Sequence, residues 1–197
     1  MPVRKSKSLV SGLVAAALLC CASAHANLVI NGGFETGDFS GWTQTPNTYD
    51  GVDSLSPQAG NFAAYFGNPS GVSTISQTLA TVAGNTYAVA FWLKNEADAN
   101  GVSIPNSFEF DWGGAAMLVL SNAPEFAYKK YEFLLTATGS STDLSFAFGQ
   151  QPGFWDFDSV EVPEPASLAL TGIGGALALL VSRRRRESDA PEARTTA

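Results

Sequence analysis

The chain has 197 residues and a formal net charge of −7, with two cysteines and one histidine. All three, Cys20, Cys21 and His25, lie within the first 26 residues, so whatever follows works without thiolates, disulfides, histidine metal ligands or a Ser-His-Asp triad. Residues 27–162 carry fourteen carboxylates against Lys94, Lys129 and Lys130, a net charge of −11, and such a surface repels phosphate backbones, which excludes nucleic acid as a partner.

In chain order, Arg4, Lys5 and Lys7 form a basic start, Leu9 to Leu19 an apolar stretch and Ala24-His25-Ala26 a small-x-small cleavage site. This is the pattern of a secretory signal peptide over 1–26, with the mature chain starting at Asn27. A lipidated Cys20 or Cys21 would need a small residue before it, where the sequence has Leu19 or Cys20.

The 136 residues of 27–162 suit one domain with a real core. Their pattern has period two, broken by Gly, Asn, Pro, Ser and Thr clusters, which predicts an all-β antiparallel sandwich of about ten strands. Expected strands are Leu28 to Ile30, Phe34-Glu35, Trp42 to Thr45, Asn61 to Phe66, Val72 to Ala80, Thr86 to Lys94, Ser107 to Trp112, Ala115 to Ser121, Tyr128 to Thr136, Asp143 to Phe148 and Phe154 to Val162. Gly113-Gly114 reads as a hairpin turn with positive φ. Tyr87, Val89, Phe91 and Leu93 share the inward face of the clearest strand, and Trp112 is expected inside with Phe108 and Phe110. Tyr131, Phe133 and Leu135, then Leu144, Phe146 and Phe148, are further inward rows.

After Val162 come Pro163-Glu164-Pro165, an uncharged run from Ala166 to Ser182 and the block Arg183-Arg184-Arg185-Arg186. As a helix the run extends about 25 Å, the short end of a bilayer span. The arginines place the C-terminus, including the tail 187–197, in the cytoplasm and everything upstream outside. A plain single-pass tail anchor has the same generic layout.

The order Pro-Glu-Pro, apolar helix, arginine block closely resembles the PEP-CTERM sorting signal of exopolysaccharide-producing Gram-negative bacteria. The resemblance implies an exosortase as partner, with Pro163, Glu164, Pro165 and Arg183 to Arg186 as the sorting motif within 163–186. It also implies export across the inner membrane, anchoring before processing, and a final place at the cell surface or in the matrix.

Residues 27–35, Asn-Leu-Val-Ile-Asn-Gly-Gly-Phe-Glu, with Gly41-Trp42 and the closing Asp158-Ser159-Val160-Glu161-Val162, are similar to the first and last strands of jelly-roll carbohydrate-binding modules. That likeness implies a two-sheet jelly roll and a structural Ca²⁺ bridging Glu35 and Asp158. Asp156 shares the parity of Asp158 and is a substitute ligand.

Sugar binding in such modules rests on exposed aromatic faces. Trp92 is the leading candidate because it faces away from the core row of its own strand. Trp155 is the second, because its parity is opposite to Val160 and Val162, a relation that a bulge near Asp156 would reverse. Glu109 and Asp111, two residues apart on one strand face, have a spacing that glycosidases use. An acidic outer face gives the same spacing, so no enzyme is expected. The expected function is that of an exported surface or exopolysaccharide-matrix protein that binds polysaccharide. The alternatives are a scaffold or adhesin contacting proteins, and third a glycoside hydrolase.

Overall fold

A computed structural model describes residues 26–69, 71–150 and 153–165. The expected signal peptide up to His25, the apolar run from Ala166, Arg183 to Arg186 and the tail lie outside the described residues. Among the described residues no helix is long and apolar enough to cross a membrane. Ala26–Pro165 is one compact unit.

Ten strands build it: β1 (Thr43–Gln44), β2 (Asp50–Asp53), β3 (Ala63–Phe66), β4 (Ser73–Ala80), β5 (Thr86–Glu96), β6 (Asn106–Trp112), β7 (Ala115–Ser121), β8 (Phe126–Thr136), β9 (Ser141–Gln150) and β10 (Phe154–Glu161). They form two five-stranded sheets, β1-β4-β9-β6-β7 and β2-β3-β10-β5-β8. Every pairing is antiparallel. This is the expected two-sheet sandwich.

Alternation drives the packing. Tyr87, Val89, Phe91 and Leu93 of β5, Phe108, Phe110 and Trp112 of β6, and Leu144, Phe146 and Phe148 of β9 are all buried. The Phe146 ring lies 5.2 Å from the rings of Phe91 and Phe110 and 4.7 Å from Phe157, while Phe66 stacks on Phe148 at 3.8 Å. Each such ring contributes about 1.5–3 kcal/mol by burial, and its ring contacts add about 0.5–1.5 kcal/mol per pair. Tyr131, Phe133 and Leu135 on the edge strand β8 are only half-buried, but pack against this core. Gly113 and Gly114 take φ of 60° and 80° in the β6–β7 turn, as the hairpin requires.

Three departures matter for the site. Leu28 to Ile30 and Phe34-Glu35 are not strands: apart from a bridge between Asn27 and Pro163, the segment is a chain of turns. Positive φ at Asn31 (52°) and Phe34 (55°) folds the backbone so that Phe34 enters the core, stacked 5.8 Å from Trp42. Asp50–Asp53 is a strand that composition did not suggest. In β10, Asp158 pairs with Trp92 but Glu161 pairs with Ala90, so one extra residue enters there; Ser159 takes a φ of 54°. The bulge moves the inward row from Trp155 and Phe157 to Val160 and Val162.

Candidate functional site

Ahead of its bulge, β10 turns Asp156 and Asp158 to the outer face of the second sheet, yet both are buried, because the segment 54–62 crosses over them. A carboxylate taken out of water needs donors, and this segment supplies them. Asp158 Oδ2 accepts the backbone N–H groups of Gln58 (2.9 Å) and Ala59 (3.0 Å), and Oδ1 accepts that of Ser159 (2.6 Å). Burial pushes the Asp158 carboxyl above the usual range, and the three N–H donors pull it back.

The other end of the same segment is held by Glu35. Its carboxylate accepts the backbone N–H groups of Asn61 (2.9 Å) and Phe62 (3.2 Å) and the Asn61 side-chain amide (3.1 Å). These bonds, the Asn61 backbone N–H foremost, hold Glu35 below the usual range. Gly33 sits between the two acids: a Cβ there would lie 3.8 Å from Glu35 Cγ and 3.9 Å from Asp158 Oδ1. Two of the three expected metal residues are thus both neighbours of Gly33, each carboxylate held by N–H donors of the segment or of β10.

Asp156 does not join them. Its Oδ2 lies 3.1 Å from Lys94 Nζ, and Lys94 also bonds Ser56 Oγ (2.8 Å) and pairs with Glu96. The ammonium takes the position at that oxygen that a metal cation would need. Among the described residues no three His, Cys, Asp or Glu side chains assemble to hold a metal ion. Burial, followed by the Glu96 charge, pushes the Asp156 carboxyl up to about 6 against the pull of Lys94.

The two aromatic candidates separate. Trp92 is half-buried on the outward row of β5, with Asp158 and Lys130 as cross-strand neighbours. Trp155 is fully buried, its ring 5.9 Å from those of Phe108 and Phe126 and its Nε1 donating to the Gly149 carbonyl at 3.1 Å. The bulge after Asp158 is the physical reason, and it removes Trp155 from any sugar platform. Glu109 and Asp111 are half-buried on the outer face of the other sheet.

The sorting motif begins inside the fold. Val162 is buried, its carbonyl accepts the Leu28 N–H (2.9 Å) and its own N–H donates to Asn27 Oδ1 (2.8 Å). The Glu164 N–H donates to the Ala26 carbonyl at 2.9 Å. Sequence reasoning missed the Lys94–Asp156 pair and the donors of 58–62; the outward row of β5 was readable, but not that β10 lies beside it.

Residues 161–186 match the PEP-CTERM protein-sorting motif. A search of curated proteins finds no match. Among solved structures the chain is similar to TmCBM61 in complex with beta-1,4-galactotriose, at 24% identity and a TM-score of 0.53 over 71% of this chain and 99% of that one. It is also similar to a xylan-binding domain from CBM 22, at 11% identity and a TM-score of 0.50 over 70% and 95% of the two chains. A third likeness is to the enzymatically active domain of bacteriophage CBA120 tailspike protein 4, at 18% identity and a TM-score of 0.51 over 70% of this chain and 21% of that one. What these share with the chain is the jelly-roll sandwich.

The raised Asp156 carboxyl sets a pH dependence. Its folded value, about 6, exceeds the ordinary aspartate value of 3.8, so between these the folded state holds more protons and stability rises as pH falls. The charged groups around it are Lys94 and Glu96 on β5 and Asp53 on β2, with Asp158 on its own strand and the Tyr128 hydroxyl of β8. Thermal melts of wild type and Asp156→Asn at pH 7 and pH 5 check this. The wild-type melting temperature is expected to gain on the variant as pH drops, and a constant difference contradicts it.

Proposed function

We propose that the chain is an exported, exosortase-sorted protein whose jelly roll is a non-catalytic glycan-binding module of the cell surface or exopolysaccharide matrix. The observation that carries this is the sorting motif at 161–186, continuous with a sandwich of the carbohydrate-binding-module type. The motif implies export and membrane anchoring before processing. If sorting operates, mass spectrometry of the protein from an exosortase-bearing host shows a shortened mature chain, and Pro163→Ala/Pro165→Ala leaves the C-terminal segment uncut. An unchanged mature mass in that double variant returns the plain tail anchor.

Trp92 is the residue assigned to the sugar, supported by its outward position on a central strand. The burial of Trp155 removes one of two expected platforms and favours the second reading, a scaffold or adhesin with no sugar site. Affinity electrophoresis of the mature protein in the producer's own polysaccharide separates the two. Retardation is expected, weakened about tenfold or more by Trp92→Ala, the scale of losing one stacked ring with its contacts; free migration of the wild type supports the scaffold.

Calcium is the third part of the reading. Glu35 and Asp158 flank Gly33 and supply two hard carboxylates from opposite ends of the domain, the kind of donor Ca²⁺ takes, and Asp156 is left out. Backbone carbonyls would complete the set, and the bound ion would tie the first turns to the last strand. Ca²⁺ is expected to raise the melting temperature of the mature protein and EGTA to lower it, whereas superimposable melts would sink the assignment.

A further inference from the structure

The outer face of the second sheet holds a cavity of about 350 Å³ that none of the expected site residues except Asp156 lines. It falls within the about 300–1,000 Å³ of small-molecule sites. Tyr65 of β3 and Phe154 of β10 form its aromatic wall, edge to face with ring centroids 5.8 Å apart. Phe154 is 41% exposed, and its ring lies over Gly67, where a Cβ would collide with it. Leu55, on the segment that caps the cavity, is exposed at the rim.

The polar wall is one-sided. Asp53, Glu96 and Asp156 face a single ammonium, that of Lys94. Lys94 is already engaged with Ser56 Oγ, Glu96 and Asp156, so an entering molecule meets acceptors. Asp156 is 5% exposed and shares the Lys94 ammonium, 3.1 Å from its Oδ2, with Glu96. Three carboxylates around one ammonium leave the wall short of positive charge, and a second cationic donor relieves their repulsion.

We propose that this cavity binds a protonated amino sugar, its ring face against Phe154 and its ammonium on the Asp53 and Glu96 side, where the carboxylates outnumber the single Lys94 ammonium. The choice of a sugar rests on the glycan-binding reading above; the choice of a cation rests on the cavity alone. An anionic sugar meets three carboxylates. A neutral one brings no charge to the acidic wall, and a linear amine leaves the Tyr65–Phe154 wall uncovered. The net charge of −11 over residues 27–162 draws polycations toward the domain in general, so the test separates the cavity from that diffuse field.

Isothermal titration of the mature protein at fixed ionic strength, with a glucosamine tetramer, its N-acetylated counterpart and tetralysine, provides it. The glucosamine tetramer is expected to bind about tenfold tighter than either of the others, as a charge-assisted bond combined with ring contact implies. Glu96→Gln and Phe154→Leu, which keeps bulk but removes the ring, each weaken it about fivefold or more on the same grounds, whereas Glu132→Gln, away from the cavity, leaves it unchanged. No binding, or equal binding of the acetylated tetramer, overturns the proposal. Equal or tighter binding of tetralysine, insensitive to Phe154→Leu, reassigns the signal to diffuse attraction or a basic peptide and also overturns it. If Trp92-dependent retardation in polysaccharide survives while the glucosamine tetramer is silent, only the cavity assignment falls.

Discussion

Two carboxylates buried on the outer face of a central strand are the constraint on which the rest of this domain depends. Removing a carboxylate from water without compensation costs several kcal/mol, so the chain has to bring donors to β10. It does so in two ways with one segment. Residues 58 and 59 give backbone N–H groups to Asp158, while Ser56 receives the lysine that balances Asp156. The Tyr128 hydroxyl donates to the Ser56 carbonyl, and Glu35 takes the N–H groups of residues 61 and 62. A segment with little regular structure of its own is thereby held over the sheet, and the cavity beneath Leu55 exists because it is held there.

The bulge at Ser159 makes the arrangement compatible with a core. Without the extra residue, strict alternation would put Trp155 and Val160 on opposite faces; with it, Trp155, Phe157, Val160 and Val162 all point inward. This is also where the sequence became unreadable. Alternation announces β5, β6 and β9 because each runs uninterrupted, and their buried rows came out as expected. Nothing in Asp158-Ser159-Val160 announces an insertion, so the face of Trp155 was reversed. Asp50–Asp53 carries two aspartates and a glycine, residues depleted in strands, and becomes one through pairing with β3. Leu28 to Ile30 has strand composition, but positive φ at Asn31 and Phe34 turns the chain into the core instead. The pairing of Glu35 with Asp158 was suggested by a family likeness and not by spacing, since the two lie far apart in the chain.

The two outer faces differ in chemistry. On the three inner strands of the first sheet the outward rows are Thr74, Ser76 and Thr78 of β4, Ser107, Glu109 and Asp111 of β6, and Asp143, Ser145 and Ala147 of β9: short, mostly polar or acidic side chains with no ring among them. The second sheet puts Tyr65, Trp92, Tyr128 and Phe154 outward with Lys94, Glu96 and Asp156. Stacking on a pyranose needs rings, so a glycan reading belongs to the second face. The acidic pair Glu109 and Asp111 lies half-buried on the other, ring-free face.

The junction with the sorting motif limits where processing can act. The match at 161–186 begins within β10: Glu161 pairs with Ala90, Val162 is buried, and Pro163 bridges Asn27. Leu28 and Asn27 are anchored by the Val162 backbone, so the first and last residues of the sandwich hold each other. A cut before Val162 would strip an apolar side chain from the core, leave the Leu28 N–H without its acceptor and loosen the turns that seat Phe34. A cut that preserves the domain therefore falls after Val162, inside or beyond Pro163-Glu164-Pro165. The fold itself thus ties the start of the sorting signal to the integrity of the domain it sorts.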